Sequence, residues 1–168
     1  MAEVSNSTLF KIDTGILPTN ACVVILKTDW NAEVVDELEQ GCIRVLQEHG
    51  IQNIQTYTVP GAFELAFAAR QLWETQKDSA NRPHAIVVFG CVLRGDTPHF
   101  EYVSQAVTQG ITALNLQLPI PTIFGVLTVD NQRQADERIG GMHGHKGEEA
   151  AFTAMKMMSL PILFKANR

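Results

Sequence analysis

Hydrophobic positions change their spacing several times along this chain, and each change marks an element. Residues Ala21 to Lys27 (ACVVILK) form a nearly continuous run rich in β-branched side chains, which predicts a strand covered on both faces. Beyond Asn31, a residue suited to capping, Val34, Val35, Leu38, Cys42, Val45 and Leu46 recur at helical spacing until Gly50. Ile54 to Val59 reads as a second strand, Ala62 to about Gln76 as a second helix, and Ala85 to Leu93 as a third strand, apolar throughout. Val103, Val107, Ile111 and Leu114 mark a third helix, with Phe100, Val103 and Val107 on its buried stripe. Thr122 to Val129 makes a fourth strand, Gln132 to Arg138 a short helix and Gly147 to about Ser159 a last one, while Leu9 to Ile12 is a candidate extra edge strand at the N-terminus.

Strands alternating with helices through short links imply right-handed crossovers and a parallel sheet covered on both faces. The expected fold is a three-layer α/β/α sandwich on a mainly parallel four-stranded sheet. The segment Lys77 to Pro83 (KDSANRP) is a surface loop and not a linker, because the same alternation continues on both sides of it. A chain of 168 residues, 45% of them hydrophobic, fits one domain over 1–168, with residues 1–8 as a flexible N-terminal arm.

Charge narrows the partners. Thirteen Lys plus Arg against eighteen Asp plus Glu give a formal net charge of -5, so no general attraction to nucleic acid or to an anionic membrane is expected. Any bound anion must be held locally. Cys22, Cys42 and Cys91 are odd in number and sit in apolar stretches, as packed, reduced thiols do. The start MAEVSNSTLFKID lacks an apolar signal core, and the longest apolar run, around Ala85 to Leu93, is too short to span a bilayer; a cytoplasmic protein is expected.

In open α/β sheets, ligands bind outside the carboxyl ends of the strands. Three loops there carry chemically capable residues: Thr28 to Asn31 after the first strand, Pro60 to Glu64 after the second, and Arg94 to His99 after the third. Pro98 suits a first helical position, which makes Thr97 the expected N-cap and leaves His99 in the first turn. Unpaired N–H groups at such a helix start favour a phosphate, held by Gly95, Asp96 and Thr97 through backbone groups and the Thr97 hydroxyl. Histidine is the side chain that changes charge near neutral pH, so His99 fits a proton shuttle. Glu101 complicates this, since a carboxylate in the first turn competes with an anion for the same helix end.

Each feature also has a plainer reading. Thr97 and His99 can be a cap and a solvated side chain; Trp30 can pack on Val35 as a hydrophobic staple rather than stack on a flat ligand. Glu64 can simply steady the start of the second helix. Arg138 and Lys146 bracket the glycine-rich IGGMHGH, yet Arg138 can merely neutralise the carboxyl end of its own helix. His143 and His145 have no third ligand nearby for a metal. His49 and His84 read as structural, and Met155, Met157 and Met158 as core filler.

Four motifs in order carry a resemblance over about Ala21 to Met158: VPGAFEL (Val59 to Leu65), GCVLRGDTPHFEYV (Gly90 to Val103), FGVLT (Phe124 to Thr128) and HKGEEAA (His145 to Ala151). The chain resembles the lumazine synthase family, whose fold is flavodoxin-like. The resemblance implies condensation of 5-amino-6-ribitylaminouracil with 3,4-dihydroxy-2-butanone 4-phosphate to 6,7-dimethyl-8-ribityllumazine, releasing phosphate and water, the penultimate step of riboflavin biosynthesis. It implies no metal or organic cofactor. By the same resemblance Trp30 stacks on the pyrimidine, Glu64 with backbone groups of Ala62 and Phe63 binds the ribityl chain, and Val92 and Leu93 line the ring pocket. Asp96 and Thr97 hold the phosphate. His99 and Arg138 are the catalytic pair, the first moving protons and the second gripping phosphate.

The resemblance further implies a homo-oligomer, a pentamer or a pentamer-based sixty-subunit shell, with sites between adjacent subunits and riboflavin synthase as a candidate partner. Phe124, Arg138 and Lys146 are then supplied by the neighbouring subunit, with Lys146 near the ribityl end. The chain departs from the family pattern at Ala66, where proline is common, at His145, where asparagine commonly precedes Lys-Gly, and at Leu93 for the commoner isoleucine. Two other readings compete: a flavin-binding module without catalysis, and a phospho-receiver domain, which the third strand disfavours by ending at Leu93-Arg94 without an acceptor aspartate.

Overall fold

A computed structural model describes residues 8–12 and 16–166. Its elements follow one another as β1 (Cys22–Thr28), α1 (Ala32–Glu48), β2 (Asn53–Val59), a 3-10 turn (Ala62–Glu64), α2 (Leu65–Gln76), β3 (Ala85–Leu93), α3 (His99–Gln117), β4 (Thr122–Val129), α4 (Gln132–Asp136), β5 (Ile139–Gly141), β6 (Gly144–His145) and α5 (Lys146–Ala166). The four long strands form one parallel sheet in the order β2-β1-β3-β4, and β5 and β6 form a separate antiparallel ribbon.

The central strands explain why their sequences are apolar without alternation. Successive strand side chains point to opposite faces. Val23, Ile25, Val87 and Phe89 therefore pack in one layer with α1 and α5. Val24, Leu26, Ile86 and Val88 pack in the other, against Leu65, Ala69, Val107 and Ile111 of α2 and α3. Both faces of the sheet are covered by buried side chains, which makes this a three-layer flavodoxin-like α/β/α sandwich. β2 lies at an edge, and its burial falls away over Thr56, Tyr57 and Thr58.

Two glycines let α1 and α5 approach closely. A Cβ on Gly147 would lie 2.0 Å from the Leu38 carbonyl oxygen of α1, and one on Gly41 would lie 2.1 Å from Cε1 of His145. At Gly147 the helix backbones meet without an intervening side chain, whereas at Gly41 the His145 ring occupies the space.

The structure departs from the sequence reading in several places. Leu9 to Ile12 is not an edge strand: the Lys11 N–H donates to the Thr8 carbonyl at 3.1 Å in a turn. The segment is drawn to α5 instead, where the Phe10 ring meets Phe152 edge-on at 5.0 Å and Lys156 donates to the Thr8 carbonyl at 2.8 Å. The last helix runs past Ser159 to Ala166 with Pro161 inside it; its final turns are exposed, where a missing N–H is least disruptive. Asn31 holds the cap position of α1 but makes no side-chain cap bond; its backbone is left-handed, with φ 58°. Met157 is 40% exposed and is not core filler, unlike the buried Met155 and Met158.

Candidate active site

The loops after β1, β2 and β3 meet at one edge of the sheet and enclose a half-open cavity of about 620 Å³. Trp30, Ala62, Phe63, Glu64, Val92, Leu93 and His99 all line it. Backbone bonds hold the loops together. The Asp29 N–H donates to the Val59 carbonyl at 2.9 Å, tying the ends of β1 and β2. The Asn31 side-chain amide donates to the Cys91 carbonyl at 2.7 Å, tying the start of α1 to β3. This second bond accounts for the left-handed Asn31, since asparagine tolerates that conformation better than other side-chain-bearing residues. Asn31 and Cys91, which the sequence places as a helix cap and a packed thiol, thus also line the cavity.

Trp30 is 74% exposed, so its indole stands open rather than stapled under α1. Glu64 ends the 3-10 turn that begins α2, and its carboxylate folds back over Gly61. A Cβ at Gly61 would sit 3.1 Å from Glu64 Oε2 and 3.4 Å from Trp30 Cδ1. The bare glycine keeps a slot open between a flat apolar ring and an acceptor. His99 begins α3, and Val103, one turn on, lies on the same face and lines the cavity too.

α3 begins one residue later than the sequence suggests. Pro98, not Thr97, takes the cap position, with φ -66° and ψ 4°, and no side-chain cap bond forms. The Glu101 N–H donates to the Pro98 carbonyl at 3.1 Å. The ring of proline fixes φ near a helical value, which pulls Pro98 into the turn. Asp96 and Thr97 are exposed in the loop just before it and do not line the cavity.

Arg94 is already engaged. Its Nε donates to Asp130 at 2.7 Å, a second guanidinium nitrogen bonds Glu101, and the guanidinium lies 4.0 Å over the Phe100 ring. Its backbone N–H also donates to the Val129 carbonyl at 2.9 Å. The carboxylates hold the guanidinium charged, and Arg94 holds the Glu101 and Asp130 carboxyls below their ordinary range, Glu101 with help from its own backbone and Asp130 from Gln134. The Glu101 carboxylate is therefore shared between Arg94 and its own backbone in the first turn of α3. Phe100 is only half-buried as a result, against the sequence expectation of a core position. Asp130 carries no local signal in the sequence; it joins Arg94 only because β3 and β4 are neighbours.

Phe124, Arg138 and Lys146 lie elsewhere. They line a second half-open cavity of about 660 Å³ along the edge strand β4 and helix α5. Arg138 Nη1 donates to the Gln134 carbonyl at 2.6 Å, at the carboxyl end of α4, as the plainer reading has it. Lys146 pairs with Glu149 at 2.6 Å, a partner that the sequence reading missed although it lies three residues on in the same helix. The two cations flank the same open end of the β5–β6 ribbon, where the Lys146 N–H donates to the Arg138 carbonyl at 2.8 Å.

His84, His49 and His145 are held by packing within the fold. His84 Nδ1 accepts the Cys22 N–H at 3.0 Å, and burial with nearby Arg82 holds its pKa below the ordinary value. His49 caps α1 through a 2.8 Å contact with the Val45 carbonyl and rests edge-on against Phe152. Burial lowers the His145 pKa, and Arg44 adds to this, while Glu148, Glu37 and the ring's own backbone pull the other way. Burial pushes the Cys91 thiol up to about 11 and also raises Cys42 and Cys22.

Loops at the carboxyl edge of a parallel sheet that gather an indole, a carboxylate and an imidazole round one cavity define an α/β enzyme that works on a small polar molecule. The family described as 6,7-dimethyl-8-ribityllumazine synthase matches residues 20–161. A 6,7-dimethyl-8-ribityllumazine synthase of Parabacteroides distasonis is 48% identical over 137 residues, covering 80% of this chain and 82% of the relative. One of Porphyromonas gingivalis is 49% identical over 138 residues, covering 81% and 83%, and one of Flavobacterium psychrophilum 41% over 160 residues, covering 93% and 82%. The chain belongs to the 6,7-dimethyl-8-ribityllumazine synthase family, an enzyme family of riboflavin biosynthesis. Among the described residues no helix is long and apolar enough to cross a membrane.

Proposed function

We propose that this chain condenses 5-amino-6-ribitylaminouracil with 3,4-dihydroxy-2-butanone 4-phosphate to 6,7-dimethyl-8-ribityllumazine, with release of phosphate and water. The observation that carries the reading is the meeting of Trp30, Glu64 and His99 round one cavity, on a chain of this family. The reaction needs an imine formed, a phosphate expelled and a ring closed. Each step moves protons, and all depend on two substrates held in register, so positioning and general acid–base work dominate.

In this reading the open indole of Trp30 stacks on the pyrimidine, and the slot at Gly61 admits the ribityl chain to the Glu64 carboxylate and the backbone of Ala62 and Phe63. Val92 and Leu93 form the apolar wall. Asp96 and Thr97, beside the start of α3, hold the phosphate through backbone groups and hydroxyl, and His99 transfers the protons. The cations belong to the neighbouring copy. Phe124, Arg138 and Lys146 line the edge of the sheet beyond β4, and a cavity open on that side is what a second subunit would close. Arg138 then grips the leaving phosphate and Lys146 lies near the ribityl end. Adjacent copies thus complete each other's sites, in a closed ring such as a pentamer or a shell built from pentamers, in the cytoplasm and with riboflavin synthase as a partner.

The test mixes the purified protein with both substrates and follows lumazine absorbance together with phosphate release. Equal appearance of the two products supports the reading. Phosphate release without lumazine, or neither product, overturns it.

A further inference from the structure

The β5–β6 ribbon is short, with three residues on one side and two on the other, and Arg138 and Lys146 stand side by side at its open end. Two-stranded ribbons of this size have little stability of their own. Something must fasten it to the body. The fastening lies at His145, paired with Ile139 in the ribbon, whose ring is pressed against α1 where Gly41 has no side chain. A Cβ at Gly41 would lie 2.1 Å from Cε1 and 2.7 Å from each ring nitrogen. Nδ1 is buried with no partner at hydrogen-bond geometry, so shape and not a polar bond holds the ring.

The neighbouring contacts point the same way. Gly147, two residues on, abuts the Leu38 carbonyl, one turn of α1 from Gly41. Arg44 of α1 and Glu148 of α5 form an ion pair across the same joint. The charged groups facing the ring are Glu37 and Arg44 from α1 and Glu148 from α5, while the ribbon presents the uncharged Ile139 and Gly140. A neutral ring fits this notch, and burial favours the neutral form.

We propose that His145 is a positioning residue: seated in the Gly41 notch, its ring fixes the ribbon and so the placement of Arg138 and Lys146. This rests on the reading above for the role of the two cations, but the seating itself is independent of it. In a helix interior alanine is intrinsically better than glycine, so Gly41→Ala alone should stabilise α1 if the notch were idle. A filled notch reverses that sign.

The test is a cycle of wild type, Gly41→Ala, His145→Ala and the double variant, read by KM and kcat for the phosphorylated substrate and by hydrogen exchange of the amides from Arg138 to Lys146. Gly41→Ala is expected to raise KM about tenfold with kcat changed less, and to speed exchange in the ribbon, because a displacement near 1 Å weakens a positioned contact strongly. His145→Ala, which only vacates space, covers the case in which Gly41→Ala fails to fold, and is expected to give a smaller shift of the same kind. The double variant should bind better than Gly41→Ala alone, since the added methyl then meets no ring. Single-variant effects that multiply in the double, a Gly41→Ala protein that melts higher with unchanged KM, or a His145→Ala protein unchanged in both readouts would each overturn the proposal. If wild type makes no lumazine, the functional reading falls instead, and ribbon exchange across the same cycle decides the seating: rescue in the double variant supports it, and no rescue overturns it.

Discussion

At the scale of single residues, His99 and His84 separate proton chemistry from structure. His99 stands at the cavity on the first turn of α3, with no hydrogen bond fixing it among the described residues. Under the proposed reading His99→Ala should lower kcat by about 100-fold while both substrates still bind, the usual loss for a general acid–base group. Steady-state rates check this, and an unchanged kcat would remove His99 from the chemistry. His84 works the other way. Its Nδ1 accepts a backbone N–H, so the ring must be neutral there, and its folded pKa lies below that of the unfolded chain. The unfolded state then binds the proton more readily. The contribution is present above the unfolded value of about 6.5 and is lost as pH falls through the folded value. The urea midpoint should fall between pH 7 and pH 5, and His84→Gln should flatten that slope.

At the scale of elements, the glycines of the α1–α5 joint set the tolerance. A methyl at Gly147 collides with the Leu38 carbonyl at 2.0 Å, and backbone cannot move aside as a flexible side chain can. Gly147→Ala is expected to cost about 1 to 3 kcal/mol, the range for overpacking, although the helix itself would favour alanine. Equilibrium urea unfolding measures it, and a gain in stability would contradict the close approach.

The same scale shows what the sequence made legible. β3 and β4 fall at the predicted limits, because β3 is buried and apolar along almost its whole length and the edge strand β4 stays largely apolar until polarity returns at Asp130. The gathering of Trp30, Glu64 and His99 was also readable, since parallel strands bring their carboxyl ends to one edge. The ribbon after α4 was not. Ile139 to His145 holds three glycines, two histidines, one isoleucine and one methionine, which has no period to detect. Leu9 to Ile12 misled because a short apolar stretch can pass for an edge strand, whereas the Phe10 ring packs on Phe152. The Arg94–Asp130 pair spans 36 positions and could be found only after β3 and β4 were known to be neighbours.

At the scale of the whole molecule, the two cavities divide the charged and aromatic groups between separate edges of one chain. The proposed assembly turns that division into a measurable complementation. His99→Ala and Arg138→Ala proteins, each nearly inactive alone, should regain activity when refolded together in equal amounts. Random mixing in a closed ring leaves roughly one site in four with both groups intact, so about a quarter of wild-type activity is expected. Sites contained within single chains would give none.

The three cysteines are buried, unpaired and held in thiol form by their surroundings. An alkylating reagent therefore finds them only when the protein opens, and the three sit at different depths of the same body. Cys42, fully enclosed between α1 and the sheet, becomes a clock for global opening, while Cys91, at the floor of the cavity, reports whether that floor is covered. A pyrimidine ligand should slow labelling at Cys91 more than at Cys42, which lets mass spectrometry of labelled peptides read occupancy and unfolding from one sample without any added probe.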